Sequence, residues 1–402
     1  MLRIAVFLES RLEAGANRYE LTIARLLHAK RTEAYQFVFV VADEASRAVL
    51  DSLGVGPVVV TSQSRVAKAH RFLSRGVLGF RLFKALGLQQ NNLDRLLTRE
   101  AIDLVYFLGP SATCKDLSEH SFILTVWDLS HRDAPEFPEV GWSKEFEGRE
   151  QLYAHYLKKA YAVSVDSHLG KRNAVRRYCV EEERVHVLQF LPPNVLAANT
   201  APVDIRAKHG IVGEYVFYPA QFWAHKNHIY ILDALRILRD EHGVEMQALF
   251  TGADKGNLAY ILTKAREFGL ERQVRYLGFV DAEDIPELYR QSLALVMPSY
   301  FGPANLPPLE AFSFDTSVCY PVHHNIDEYI REATFPLNLD DPTTLAGHLL
   351  AIRSQPELVA ERVTRGRQVL ADWTGEDFWN ALEPIFASFA IRRRTWGAGL
   401  TR

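Results

Sequence analysis

Cysteine is scarce: Cys114, Cys179 and Cys319 are spread through 402 residues with no CxxC pair. That spacing fits a reducing cytoplasm better than a disulfide scaffold or a thiolate metal site. A basic surplus is also missing. The chain has 46 Lys and Arg against 49 Asp and Glu, a net charge of −3, whereas a dedicated nucleic-acid binder carries a large positive excess. No nucleic-acid partner is expected. No run reaches the 18 or so apolar residues of a spanning helix, and the opening MLRIAVFLES holds too short an apolar stretch for a signal peptide. The expectation is a cytoplasmic protein, soluble or held peripherally on the inner face of the membrane. No GxGxxG follows the first strand-like run, which counts against an NAD or FAD enzyme.

What is present is alternation. A chain this long exceeds the size at which a single core stops growing, so two domains are expected. Apolar runs at 2–9, 35–42, 102–109, 121–129, 161–167 and 184–191 lack a period of two and read as buried strands. Helical patterns at 17–29 and 143–160 lie between them. The second half repeats the scheme, with runs at 215–221, 245–252, 273–280, 293–299 and 317–322 and helices at 228–243, 257–269, 282–292 and 342–355. The predicted fold class is α/β: two Rossmann-like, doubly wound domains facing across a cleft. The segment LPPNVLAANTAP (191–202) reads as the linker. The divisions are 1–195, 205–375, and an amphipathic helix with its tail at 376–402 expected to pack back on the first domain. Ligands of open parallel sheets bind beyond the carboxyl ends of the strands.

Candidate residues cluster at those ends. YPAQFWAHKNH places Lys226 and Asn227 just before a helix, where free amides, the dipole and a full charge suit a diphosphate; the same residues would also serve as a surface lysine beside a cap. TGADKGN offers Gly252 in a loop that a ligand can approach, or an ordinary turn. In YLGFVDAEDIPELY the strand-end groups of Phe279 and Val280 could read a nucleobase edge. In FGPANLPPLEAF two prolines start a helix near Leu306, so the amides of Ala304, Asn305 and Leu306 could face an anion. Glu310 could then accept from two ribose hydroxyls, or simply complement the helix start. Gly15 permits a close turn after the first strand. VWDLSHRDAPEFPE crowds Asp128, His131, Arg132, Asp133, Glu136 and Glu139 at one strand end, which favours contact with an acceptor or sugar. Basic and apolar residues interleave over 64–87, either an ordinary surface helix or a contact with an anionic membrane surface.

Together these segments resemble the retaining, nucleotide-sugar-dependent glycosyltransferases of the GT-B fold, of the glycosyl transferases group 1 type, over nearly the whole chain and most strongly over 215–330. LPPLE stands intact at 306–310, which matches Glu310 to the glutamate that holds the ribose in that family. Lys226 and Asn227 match its Lys-Asn, with Gln221 where an Arg is usual. Gly302 replaces the glutamate that contacts the donor sugar, and Asp315-Thr316-Ser317 replaces Gly-Thr-Pro. Ala14-Gly15, Arg18-Tyr19 and Trp127-Asp128 stand for its Gly-Gly, Arg-Tyr and His-Asp. DLSHRDAPEF is similar to the acceptor-side segment of mannosyl- and rhamnosyltransferases that build surface polysaccharides.

The resemblance implies a nucleotide-sugar donor, GDP-mannose favoured, and a saccharide or lipid-linked acceptor. It implies transfer with retention, and neither metal nor cofactor. Lys226, Asp128 and His131 would be catalytic. The donor site would comprise Gly15, Gln221, Lys226, Asn227, Gly252, Phe279, Val280, Ala304, Asn305, Leu306 and Glu310. The alternatives are a non-catalytic glycosyltransferase-like subunit, suggested by Gly302, Gln221 and Trp127, or another GT-B enzyme such as a sugar-nucleotide epimerase.

Overall fold

The computed structural model describes residues 1–9, 18–61, 92–192, 203–302, 306–321 and 328–397. It divides into two units. One contains 1–127, 148–191 and 375–402; the other contains 128–147 and 192–374. The stretch 128–147, assigned from sequence to the domain 1–195, therefore clusters with the second unit.

The first unit is a parallel sheet in the order β3-β2-β1-β4-β5-β6-β7. Its strands are β1 (Leu2–Phe7), β2 (Tyr35–Val41), β3 (Val58–Val60), β4 (Leu104–Phe107), β5 (Ser121–Val126), β6 (Ala162–Val165) and β7 (Val185–Val187). All four residues of β4 and of β6 are buried. This is why the sequence shows unbroken apolar runs: helices cover both faces, so no position alternates toward water. The helix Gly375–Arg393 belongs to this unit. Its Trp379 and Phe386 rings lie 5.8 and 6.0 Å from Tyr35, and Phe389 lies 4.9 Å from Tyr161.

The second unit is a parallel sheet in the order β10-β9-β8-β11-β12-β13. The strands are β8 (Tyr215–Pro219), β9 (Gln247–Thr251), β10 (Val274–Gly278), β11 (Ala294–Val296), β12 (Val318–Pro321) and β13 (Phe335–Leu337). Phe217, Tyr218, Leu249, Phe250 and Leu295 form its centre, each fully buried. Burial of each such side chain stabilises the fold by about 1.5–3 kcal/mol. β10 differs from the expected buried strand: only Val274 is buried and the other four residues are half-exposed. Its place at the sheet edge explains this. The helix Leu306–Ser313 starts where the proline pair predicts. The helix Pro356–Asp372 packs on it at Gly366, where a Cβ would stand 2.6 Å from the Phe312 ring. Asp315 follows the first of these helices with φ 58°, in the left-handed region that favours glycine. Its carboxylate is held by Arg367 through two bonds of 2.6 and 2.7 Å.

Candidate functional site

In the second unit β8 and β11 are neighbours, yet the chain runs outward from them in opposite directions, to β9 and β10 on one side and β12 and β13 on the other. This is the switch point of a doubly wound sheet, where the loops after the two strands diverge and leave room for a ligand. The loop after β8 carries Lys226, and the loop after β11 leads to the helix of Glu310.

The lysine loop ends in a short 3-10 turn, Ala224–Lys226, and passes through Asn227 at φ 55° into the helix His228–His242. Backbone bonds fix this path. The Tyr218 hydroxyl donates to the Lys226 carbonyl at 3.0 Å, and the Tyr300 amide donates to the His225 carbonyl at 2.9 Å, which ties the loop after β8 to the loop after β11. Lys226 keeps part of its side chain accessible, and its ammonium makes no hydrogen bond or ion pair among the described residues. Partial burial lowers its pKa to about 8 against the opposing attraction of Asp128 and Glu139. An unpaired, partly desolvated cation beside a helix start is suited to an anionic ligand.

Glu139, which sequence reasoning left among a crowd of charges, is the organising acid. One oxygen, Oε1, accepts from the His225 amide at 2.8 Å and also from the His225 ring at Nδ1. Burial alone would raise the Glu139 carboxyl, but these two donors hold it below its ordinary value. Burial pushes His225 down to about 4, so its ring is neutral. A neutral ring that donates from Nδ1 leaves Nε2 as an acceptor. The ring is stacked on Phe301 at 4.1 Å and 11°. Phe137, two residues before Glu139, lies 5.2 Å from Tyr300 and 5.5 Å from Phe301. The partners are 86 residues apart in sequence, so no local pattern could have paired them.

The other sequence candidates are scattered in character. Asp128 accepts from the Ser130 amide at 2.9 Å and lies close enough to act on Lys226 electrostatically. His131 is fully buried, with its ring edge-on to Phe146 at 5.5 Å. The Gln221 side-chain oxygen accepts from the Trp223 indole at 2.9 Å. Gly252, at φ 118°, has a neighbour of its own: a Cβ there would stand 2.6 Å from the Ala220 carbonyl oxygen. Close backbone packing thus accounts for this glycine. Phe279 is 74% exposed beyond the edge strand, and Val280 is half-buried. Leu306 opens its helix. Glu310 is buried and accepts from the Tyr289 hydroxyl at 2.7 Å. Gly15, Ala304, Asn305 and the segment 64–87 lie outside the described residues.

Among the described residues, Asp281, Glu283 and Asp284 bring ligand atoms within 4.8 Å of one another. Lys208 already bridges Asp281 and Asp284, at 2.7 and 2.8 Å, and His209 lies 2.9 Å from Asp284. Asp281 and Asp284 thus already have partners within the protein. No described helix is long and apolar enough to cross a membrane.

Residues 204–369 match the family described as Glycosyl transferases group 1. Mannosylfructose-phosphate synthase of Agrobacterium fabrum is 22% identical over 184 residues, which cover 42% of this chain and 40% of that protein. O-antigen chain mannosyltransferase B of Escherichia coli is 28% identical over 137 residues, 34% of this chain and 36% of that protein. The matched region thus spans 40% or less of these curated relatives. The structure of the Anabaena protein HepE in complex with UDP and glucose is similar with a TM-score of 0.66 at 17% identity, covering 98% of this chain and 100% of that one. The chain therefore contains, across residues 204–369, a domain of the glycosyl transferases group 1 family, and its two Rossmann-like units are those of the GT-B fold.

Proposed function

We propose that this protein is a retaining glycosyltransferase of surface glycan synthesis. It moves a hexose from a nucleotide sugar, GDP-mannose first among the donors, to a saccharide or lipid-linked acceptor without a metal. The observation that carries this reading is Lys226: a partly buried cation whose ammonium has no hydrogen-bond or ion-pair partner among the described residues, at a helix start and at the switch point of the sheet. Two mannose-transferring names among the relatives favour mannose. The diphosphate binds at Lys226 and the free amides of the helix His228–His242, and Glu310 takes the ribose.

In the transfer step the bond from the anomeric carbon to the diphosphate oxygen breaks, and the acceptor hydroxyl oxygen bonds to that carbon on the same face. The hydroxyl proton goes to the departing phosphate oxygen. Lys226 and the amides stabilise the charge that develops there, a role that preorganised positive groups fill without reorganising. Asp128 and Glu139 keep the lysine protonated. The test is a panel of nucleotide sugars mixed with saccharide and lipid-linked acceptors, read as nucleotide release and product anomeric configuration. Release of GDP from GDP-mannose with an α product is expected. An inverted product would refute retention, and binding without turnover across the whole panel would mark a non-catalytic subunit.

A further inference from the structure

We infer that Glu139 is the positioning residue of the lysine-bearing turn: by fixing His225 it sets where the Lys226 ammonium stands, and so governs recognition of the donor's diphosphate. This inference rests on the diphosphate reading of Lys226 given above.

The geometry is specific. Glu139 does not pair with Lys226; it holds the residue before it, by both the main-chain amide and the ring. His225 is further clamped by the stack on Phe301 and by the Tyr300 amide on its carbonyl. The Glu139 side chain exposes 7% of its surface and the His225 side chain 9%. A buried carboxylate with two donors is a rigid anchor, because breaking either bond leaves a dehydrated charge poorly solvated. The peptide around it is equally constrained. Gly141 sits where a Cβ would meet the Pro135 carbonyl oxygen at 1.9 Å, so the turn through Pro138–Gly141 has no room to be wider. With Phe137 against the loop after β11 and Glu139 on the loop after β8, one short segment braces both walls of the switch point.

Both bonds go to the same oxygen, so glutamine can reproduce them without the charge. That separates placement from electrostatics. The experiment is calorimetric titration of wild type, Glu139→Gln, Glu139→Ala and Lys226→Ala with GDP, UDP, guanosine and uridine, with thermal unfolding of each protein as the control for folding. We expect Glu139→Ala to weaken nucleoside diphosphate binding about tenfold or more, the size of a lost charge-assisted hydrogen bond. Nucleoside affinity should stay within about twofold. With the titrations run near pH 6, where Lys226 is protonated with or without the Glu139 charge, Glu139→Gln should match or exceed the wild type, since it removes a negative charge near the anion. Unchanged diphosphate affinity in Glu139→Ala, a Glu139→Gln as weak as Glu139→Ala, or parallel loss of nucleoside binding would each overturn the inference. If Glu139→Ala does not fold, His225→Phe keeps the stack on Phe301 but deletes the ring donor. It should weaken diphosphate binding selectively, and unaltered affinity would again overturn the inference. If Lys226→Ala binds diphosphates as the wild type does, the diphosphate reading itself fails. If only Lys226→Ala is impaired, that reading stands and the role of Glu139 does not.

Discussion

Lys226 is the residue at which stability and function pull apart. Its pKa is lowered to about 8 from an ordinary value near 10.5. At neutral pH it is charged in both folded and unfolded chains, and the fold bears the cost of dehydrating it. As pH rises above about 8 the folded chain loses the proton before the unfolded one, so its contribution to stability improves. Function runs the other way, because an anion is held by the ammonium and not by the amine. We therefore expect diphosphate affinity and kcat/KM to fall as pH rises through about 8, since kcat/KM reports the free enzyme. Lys226→Arg, whose guanidinium stays charged, should abolish that alkaline limb even if it lowers the plateau. A limb that persists in Lys226→Arg would show that another group is responsible. The lysine was legible in the sequence because a helix start is a local feature, with its charge and its amides adjacent along the chain. Its control by Glu139 was not, because the two sides of that contact come from distant stretches and meet only through the tertiary fold.

At the scale of the element, the helix His228–His242 begins with a liability. His228 is fully buried, its ring is stacked on Phe222 at 4.2 Å and 11°, and neither ring nitrogen has a hydrogen-bond partner among the described residues. Burial pushes its pKa down to about 3, with the charge of Lys226 adding to the effect. The unfolded chain takes up a proton near pH 6.5 and the folded chain does not, so stability from this position falls as pH drops from about 6.5 toward about 3. His225, lowered to about 4, acts in the same direction. His228→Phe keeps a planar ring against Phe222 and removes two unsatisfied polar atoms, so it should stabilise the protein by roughly 1 kcal/mol at neutral pH. The gain should be larger near pH 5, as read by denaturant unfolding at both pH values. A gain that is the same at both would refute the titration argument. Most elements were legible from their apolar runs, because buried parallel strands are continuous in sequence. The exceptions have physical reasons. β3 and β13 are edge strands of three residues, too short to show a period. The helix Pro356–Asp372 packs on the core only through the partly buried Leu358, Val359, Val369 and Leu370 and the buried Gly366, a thin apolar stripe among many charges.

For the whole molecule, the chain order matters more than the division into two sheets. The chain leaves the first unit at Trp127, returns at Gly148, leaves again at Leu191 and comes back for its last helix at Gly375. That helix buries Phe378, Leu382, Ile385, Phe386 and Phe389 in the first unit. At about 1.5–3 kcal/mol each, their burial amounts to roughly 10 kcal/mol, comparable with the entire stability of a typical domain. Polar contacts set its register: Lys30 with Glu376, Tyr161 with Ser388 at 3.0 Å, and Arg393 with Asp103 at 3.0 Å. Ending the chain after Thr374 should therefore unfold the first unit while the second, whose core is its own, keeps its structure. The expected signs are rapid proteolysis of 1–127 and 148–191, survival of 203–374 with 128–147 still bound to it, and loss of sugar transfer. Stabilisation of the surviving fragment by GDP or UDP would place the nucleotide site within it, because a ligand that binds only the folded form raises its melting temperature. A truncated chain that still protects 1–127 from protease would mean that the sheet β1–β7 holds together without its last helix. The five side chains would then contribute less, because the denatured state already shelters part of their surface.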